Sequence, residues 1–194
     1  MRGLYALKPW YTRRLDGIVR WAVDRDTSPD VFTWLGVLSA AAAGVAIAVG
    51  SWPLALVLLA GRLAGANLDG AVARARGVSR PWGFVVNELG DRLSDLLMFA
   101  GLAVLLGRLQ GGAAVVLVLV AAVVATLPTF VSLAGAGAGA PRLNGGPFGK
   151  TERCLAVVLM VAAPGLSPLL LAVMIGLSLA TATARLRQLR RVLA

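Results

Sequence analysis

The chain has 194 residues, 58% of them hydrophobic, and a formal net charge of +10 from 19 Lys and Arg against 9 Asp and Glu. The basic residues collect between long apolar runs, so they read as a positive-inside bias and contact with anionic headgroups rather than as a nucleic-acid surface. With no His and a single cysteine, Cys154, the usual neutral-pH base, an internal disulfide and Cys/His metal centres are excluded. Any metal site must use oxygen ligands, which favours magnesium, manganese or calcium.

Residues 4–24 place Leu4, Leu7, Trp10, Leu15, Ile18 and Trp21 among Arg13, Arg14 and Arg20. That pattern predicts an amphipathic helix lying in the membrane interface. Ser28-Pro29-Asp30 then punctuates the chain. Apolar runs predict spans at roughly 31–50, 53–76, 82–106, 113–134, 149–163 and 166–186, several of them near the ~20 residues that cross a bilayer core. The expectation is an all-α integral membrane protein: a juxtamembrane segment over 1–30 and a six-helix transmembrane domain over 31–194. The longest loop is expected from Gly135 to Gly149. Arg2, Lys8, Arg13, Arg14, Arg20 and Arg25 precede the first span, and further basic residues follow spans 2, 4 and 6, whereas the opposite loops hold only Arg108. Both termini are therefore expected in the cytoplasm. The Arg-over-Lys bias with abundant Ala, Gly and Val matches a high-GC bacterial genome, hence a bacterial cytoplasmic membrane.

The second and third spans carry the chemistry. Ionisable side chains are costly within apolar segments and mark functional sites there. Span 2 runs inward, which puts Asp69 about 10 Å from its cytoplasmic end, and span 3 runs outward, which puts Asn87 and Asp91 about 6 and 12 Å deep. The short connection makes these helices antiparallel neighbours, and Asn87, Asp91 and Asp95 share one face of span 3. The result is an oxygen-lined pocket open to the cytoplasm. Gly70 follows Asp69 and Gly83 opens span 3, where backbone N–H groups and the helix dipole favour a phosphate. Ala73 keeps the wall thin, and Arg74 and Arg76 supply fixed positive charge for a diphosphate.

At these residues the sequence resembles the CDP-alcohol phosphotransferase family, whose members transfer a phosphatidyl or related group from a CDP-linked lipid to an alcohol and release CMP. The family signature is D-x-x-D-G-x-x-A-R, eight residues, then G-x-x-x-D-x-x-x-D. Asp69-Gly70, Ala73-Arg74, Gly83 and Asp91 stand at the required spacing. The first and third signature aspartates fall on Ala66 and Asn87. By position the resemblance makes Asp69 a metal ligand and Asp91 the general base, also touching metal. Asn87 would ligate through its amide oxygen, and Gly70, Ala73, Arg74 and Gly83 would shape the CDP site. Asn67, Glu88 and Asp95 are candidate substitutes for the lost carboxylates. The resemblance implies Mg²⁺ or Mn²⁺, a donor such as CDP-diacylglycerol, a small alcohol or sugar-phosphate acceptor, and a homodimer.

Plainer roles are also available. Arg62 and Asp95 reach similar depth and can form a buried ion pair; Glu88 can pair with Arg92; Glu152 and Arg153 can form a helix-end charge pair. Arg142, Lys150 and the Arg185–Arg191 cluster can rest on anionic lipid, and Gly61, Gly65, Gly101 and Gly176 can permit close helix packing. The losses at Ala66 and Asn87 leave room for a non-catalytic relative that binds lipid or nucleotide as a partner subunit. The intramembrane carboxylates leave room for a small transporter, which the one-sided position of the charged cluster disfavours.

Overall fold

The computed structural model describes residues 13–143 and 145–193, so residues 4–12 of the amphipathic stretch expected over 4–24 lie outside the described residues. The described chain is helical: α1 (Asp16–Asp24), α2 (Pro29–Ala48), α3 (Trp52–Ala75), α4 (Pro81–Gln110), α5 (Gly112–Gly137), α6 (Lys150–Ala162), a 3₁₀ turn (Pro164–Leu166) and α7 (Ser167–Leu193). Among the described residues, four helices are long and apolar enough to cross a membrane, namely α2, α3, α5 and the segment Pro164–Leu193 containing α7. α4 is 30 residues long and carries Glu88, Asp91, Arg92 and Asp95 in its first half. α6 has 13 residues, about 20 Å of helix. The six expected spans thus correspond to six helices, four of which have the length and apolarity of a span.

Two expected boundaries move. α5 runs on to Gly137, into the expected loop, and α7 continues to Leu193, so the Arg185–Arg191 cluster is helical. Hydropathy falls over that final stretch, but Ala, Leu, Arg and Gln are all good helix formers.

The described chain forms two compact units, one ending at Leu105 and one beginning at Leu106. In the first unit, three helix ends stop in the same way. Asp26, Gly50 and Gly77 have φ of 51°, 81° and 64°, and each is followed by a hydrogen bond reaching back five residues: Thr27 to Ala22, Ser51 to Ala46 and Val78 to Ala73. This is the Schellman arrangement, which needs a left-handed residue after the helix. Asp26 holds that conformation without being glycine because Arg76 grips it, donating to its carboxylate at 3.0 Å and to the carbonyls of Asp26 and Thr27 at 2.9 and 2.6 Å. The sharp stop at Gly77, with Pro81 at the first position of α4, turns the chain back within a few residues. α3 and α4 are thereby made antiparallel.

α2, α3 and α4 approach closely at glycines. A Cβ on Gly65 would lie 2.6 Å from the Phe32 carbonyl oxygen, and one on Gly44 would lie 2.7 Å from that of Leu97. A Cβ on Gly101 would run into the main-chain oxygen of Gly44, and one on Gly61 would lie 2.7 Å from Ser39 Oγ. The packing role expected for Gly61, Gly65 and Gly101 holds. Gly176 is a correction, because a Cβ there would meet nothing within 4 Å. Below these contacts, Ala22, Phe32, Leu68 and Val72 form a buried cluster with Leu15 and Val19 against it. α1 thus buries one face on α2 and α3 and leaves Ile18 and Trp21 exposed.

In the second unit, Leu189 of α7 covers Gly135 of α5, and Ser167 donates to the Gln110 side chain at 3.0 Å. Arg185 departs from the expectation of a lipid anchor: it is half-buried and donates to the carbonyls of Pro128 and Gly145, each at 2.6 Å. Glu152 caps α6 by accepting the Gly149 N–H at 2.9 Å, while Arg153 is buried.

Candidate metal and diphosphate site

The first unit contains a small cleft of about 10 Å³, room for one water or one bare ion. α3 contributes Arg62, Ala66 and Asp69; α4 contributes Asn87, Gly90, Asp91 and Ser94; α2 contributes Thr33 and Gly36. The α3 positions recur at three- and four-residue steps and those of α4 likewise, so each helix turns one face to the cleft.

Asp69 is the centre of the hydrogen bonding. The Thr33 hydroxyl donates to its Oδ2 at 2.9 Å, the Asn87 amide donates to the same oxygen, and the Gly70 N–H points at Oδ1 at 2.5 Å. Asp69 is 6% exposed, so these donors replace the water that a buried carboxylate loses. Thr33 lies in the first turns of α2, whose start is fixed by Ser28 as N-cap and Pro29 at the first helical position. Gly90 makes room opposite, since a Cβ there would lie 2.9 Å from the Thr33 methyl.

One turn further along α4, Asp95 is 4% exposed and accepts from Arg62 Nη2 at 2.6 Å. Arg92 approaches its other oxygen at 3.3 Å. Arg62 is 1% exposed and also reaches the Asp91 carbonyl at 3.5 Å. The expected Arg62–Asp95 pair is therefore present, with Arg62 forming part of the cleft wall.

The cleft gathers Asp69, Asn87 and Asp91, as the helix spacing requires. Asn67 is not among them: its amide donates to the Leu63 carbonyl of its own helix at 3.0 Å, as its 100° offset from Ala66 dictates. Glu88 is buried outside the cleft lining, and Asp95 is engaged by two arginines. Arg74 folds back along α3, so that a Cβ on Gly70 would lie 3.1 Å from its Nη1. Ala73 and Gly83 are half-buried on their helices, and a Cβ on Gly83 would touch only Arg80 Cγ, at 3.6 Å. Thr33 as a donor and Arg62 as cleft wall were not singled out by the spacing. Their signal is a polar side chain inside an apolar run, five residues after the α2 cap for Thr33 and four before Ala66 for Arg62.

The donor set fits a hard divalent cation. Among the described residues no three His, Cys, Asp or Glu side chains come together, but two carboxylates and an amide line one cleft. All three offer oxygen, the ligand type that magnesium and manganese take. The Asn87 amide presents Nδ2 to Asp69 here, and a half-turn about its last torsion presents Oδ1 instead.

Solved structures share this fold. The phosphatidylinositol phosphate synthase of Mycobacterium tuberculosis with CDP-DAG bound aligns with a TM-score of 0.78 at 24% identity, covering 91% of this chain and 94% of that one. The same enzyme in complex with manganese and citrate aligns with a TM-score of 0.75 at 24% identity, covering 89% and 87%. An uncharacterized protein of Aquifex aeolicus is 32% identical over 99 residues, 50% of each chain, so the match spans about half the length of that relative. The sequence model of CDP-alcohol phosphatidyltransferases matches residues 26–184, which include all of α2 to α6, the cleft and most of α7. The chain belongs to the CDP-alcohol phosphatidyltransferase family.

Proposed function

We propose that the protein transfers a phosphatidyl group from a CDP-linked lipid such as CDP-diacylglycerol to an alcohol or sugar-phosphate acceptor, releasing CMP, in a bacterial cytoplasmic membrane. The observation that carries this reading is the convergence of Asp69, Asn87 and Asp91 on one cleft in a chain of this family. The likeness to an enzyme solved with CDP-DAG and with manganese supports the donor class and the metal.

Asp69, Asn87 and Asp91 would hold Mg²⁺ or Mn²⁺. When bound, the ion neutralises diphosphate charge and polarises the phosphorus under attack. Thr33 holds the Asp69 carboxylate in one orientation. Asp91 takes the proton from the acceptor hydroxyl. The acceptor oxygen then bonds to the phosphatidyl phosphorus, the bond from that phosphorus to the bridging oxygen breaks, and CMP leaves with the bridging oxygen and its electron pair. Gly70, Ala73, Arg74 and Gly83 would line the nucleotide side. Both termini would face the cytoplasm, with six spans and the cleft open on that side, and the protein would act as a homodimer.

The test is a panel assay: protein in nanodiscs with CDP-diacylglycerol, Mn²⁺ or Mg²⁺ and candidate alcohols, read by CMP release and by mass spectrometry of the lipid product. Metal-dependent CMP with one responsive alcohol is expected. Ala66, which brings a methyl group to the cleft where the signature has a carboxylate, favours a second reading, a binding-only relative. CDP-lipid binding without CMP release from any alcohol would select it.

A further inference from the structure

The cleft holds a permanent cation of its own. Arg62 lines it from α3, four residues before Ala66, and is the largest of the almost fully buried side chains. Asp95 fixes its guanidinium at 2.6 Å. Buried at 1% exposure, that charge is weakly screened by solvent or salt.

Charge and donor counts then limit what else the cleft can hold. Asp69 and Asp91 bring two negative charges, which one divalent ion balances. Asp95, outside the lining, adds a third, which is shared between two cations, Arg62 and Arg92. A second divalent ion would need further oxygen ligands; the lining adds only the neutral hydroxyls of Thr33, already engaged with Asp69, and Ser94, and the wall between Arg62 and Asp69 offers the Ala66 methyl. It would also face the guanidinium at short range, where like charges repel strongly away from water.

We propose that Arg62 takes the place of a second metal ion: the site binds one divalent cation, at Asp69, Asn87 and Asp91, and the guanidinium supplies the remaining fixed positive charge toward the donor's diphosphate. The proposal rests on the metal-dependent transferase reading. It concerns binding, however, and is tested without turnover. Asp95 acts through Arg62 as a positioning residue.

The experiment is a Mn²⁺ titration of the full chain in nanodiscs, followed by electron paramagnetic resonance, with CDP affinity measured alongside. Wild-type protein binds one Mn²⁺ per chain. Ala66→Asp alone still binds one, because the new carboxylate lies one turn from Arg62 and pairs with it. Ala66→Asp combined with Arg62→Met and Asp95→Asn binds two. The pair Arg62→Met/Asp95→Asn, which removes both charges together and leaves no unpaired partner, keeps one Mn²⁺ and binds CDP about tenfold more weakly, because Arg62 lines the cleft and Asp95 does not, so the nearer of the two charges is the one a diphosphate loses. Variants are compared only where size-exclusion profiles match wild type, and Arg62→Lys, whose ammonium Asp95 favours in its charged form, should lose less CDP affinity than the Arg62→Met/Asp95→Asn pair. Two Mn²⁺ in the wild type, none, or unchanged CDP affinity in the Arg62→Met/Asp95→Asn pair would overturn the proposal. One Mn²⁺ and the CDP loss without CMP release from any alcohol would leave it standing and instead remove the transferase reading.

Discussion

The Thr33 hydroxyl donates to Asp69 Oδ2 at 2.9 Å across 36 residues of sequence, joining the first turns of α2 to the last two turns of α3. The same oxygen takes the Asn87 amide from α4, so one carboxylate oxygen ties three helices at the cleft. Its orientation is set by neighbours before any ligand arrives, which is the preorganisation a metal ligand needs.

Thr33→Val should therefore loosen Asp69 without changing the shape of the wall. A lost buried hydrogen bond costs about 1–3 kcal/mol, and a matching fall in thermal midpoint is expected in detergent. Mn²⁺ affinity should fall about tenfold, with Thr33→Ser retaining most of it. Equal Mn²⁺ affinity in wild type and Thr33→Val would show that Asp69 is oriented by other contacts.

Asn87→Asp replaces a neutral donor to Asp69 with a second carboxylate. Without metal the two anions repel, so the variant should melt below wild type in EDTA. With Mn²⁺ the order should reverse, because a ligand at a hundred times its dissociation constant contributes about 2.7 kcal/mol and the added charge tightens binding. Melting curves with and without Mn²⁺ check both signs, and a variant that responds to Mn²⁺ no more than wild type would argue against Asn87 as a ligand.

The Arg62–Asp95 pair is buried on both sides, so removing one partner strands a charge. Asp95→Asn or Arg62→Met alone should each cost about 3–5 kcal/mol, and the double variant should cost less than either single change. A double-mutant cycle on unfolding free energy measures this directly. Additive losses would mean that the two charges are not coupled.

Gly65 and Gly101 sit where helices touch backbone to backbone, so Gly65→Ala and Gly101→Ala should lower the melting temperature. Gly176→Ala, in open space within α7, should raise stability by a fraction of the ~1 kcal/mol by which Ala exceeds Gly in a helix. Thermal scans of the three variants suffice. A Gly176→Ala change as damaging as Gly65→Ala would reveal a contact at Gly176.

Much of the site could be read from spacing, because it is built on two antiparallel helices with a short turn. Asp69, Asn87 and Asp91 meet for reasons that helix geometry supplies. The Arg62–Asp95 pair followed from depth alone. Thr33 did not follow, since its partner is distant in sequence and a threonine in an apolar run has several uses. Asn67 stood at the right depth but on the wrong face. In the second unit, the helix runs past the last apolar run, because the Arg-rich end of α7 is polar yet helical. Arg185 likewise looked like a surface charge. Its two carbonyl partners, 57 and 40 residues away, have no mark in the local pattern.

The most direct test of the central claim is CMP release from CDP-diacylglycerol by wild-type protein and by Asp91→Asn, side by side in Mn²⁺-loaded nanodiscs with the responsive alcohol. The account predicts metal-dependent release in the wild type and a loss of at least about a hundredfold in the variant, the usual worth of a positioned general base. Release at the wild-type rate from Asp91→Asn would contradict it.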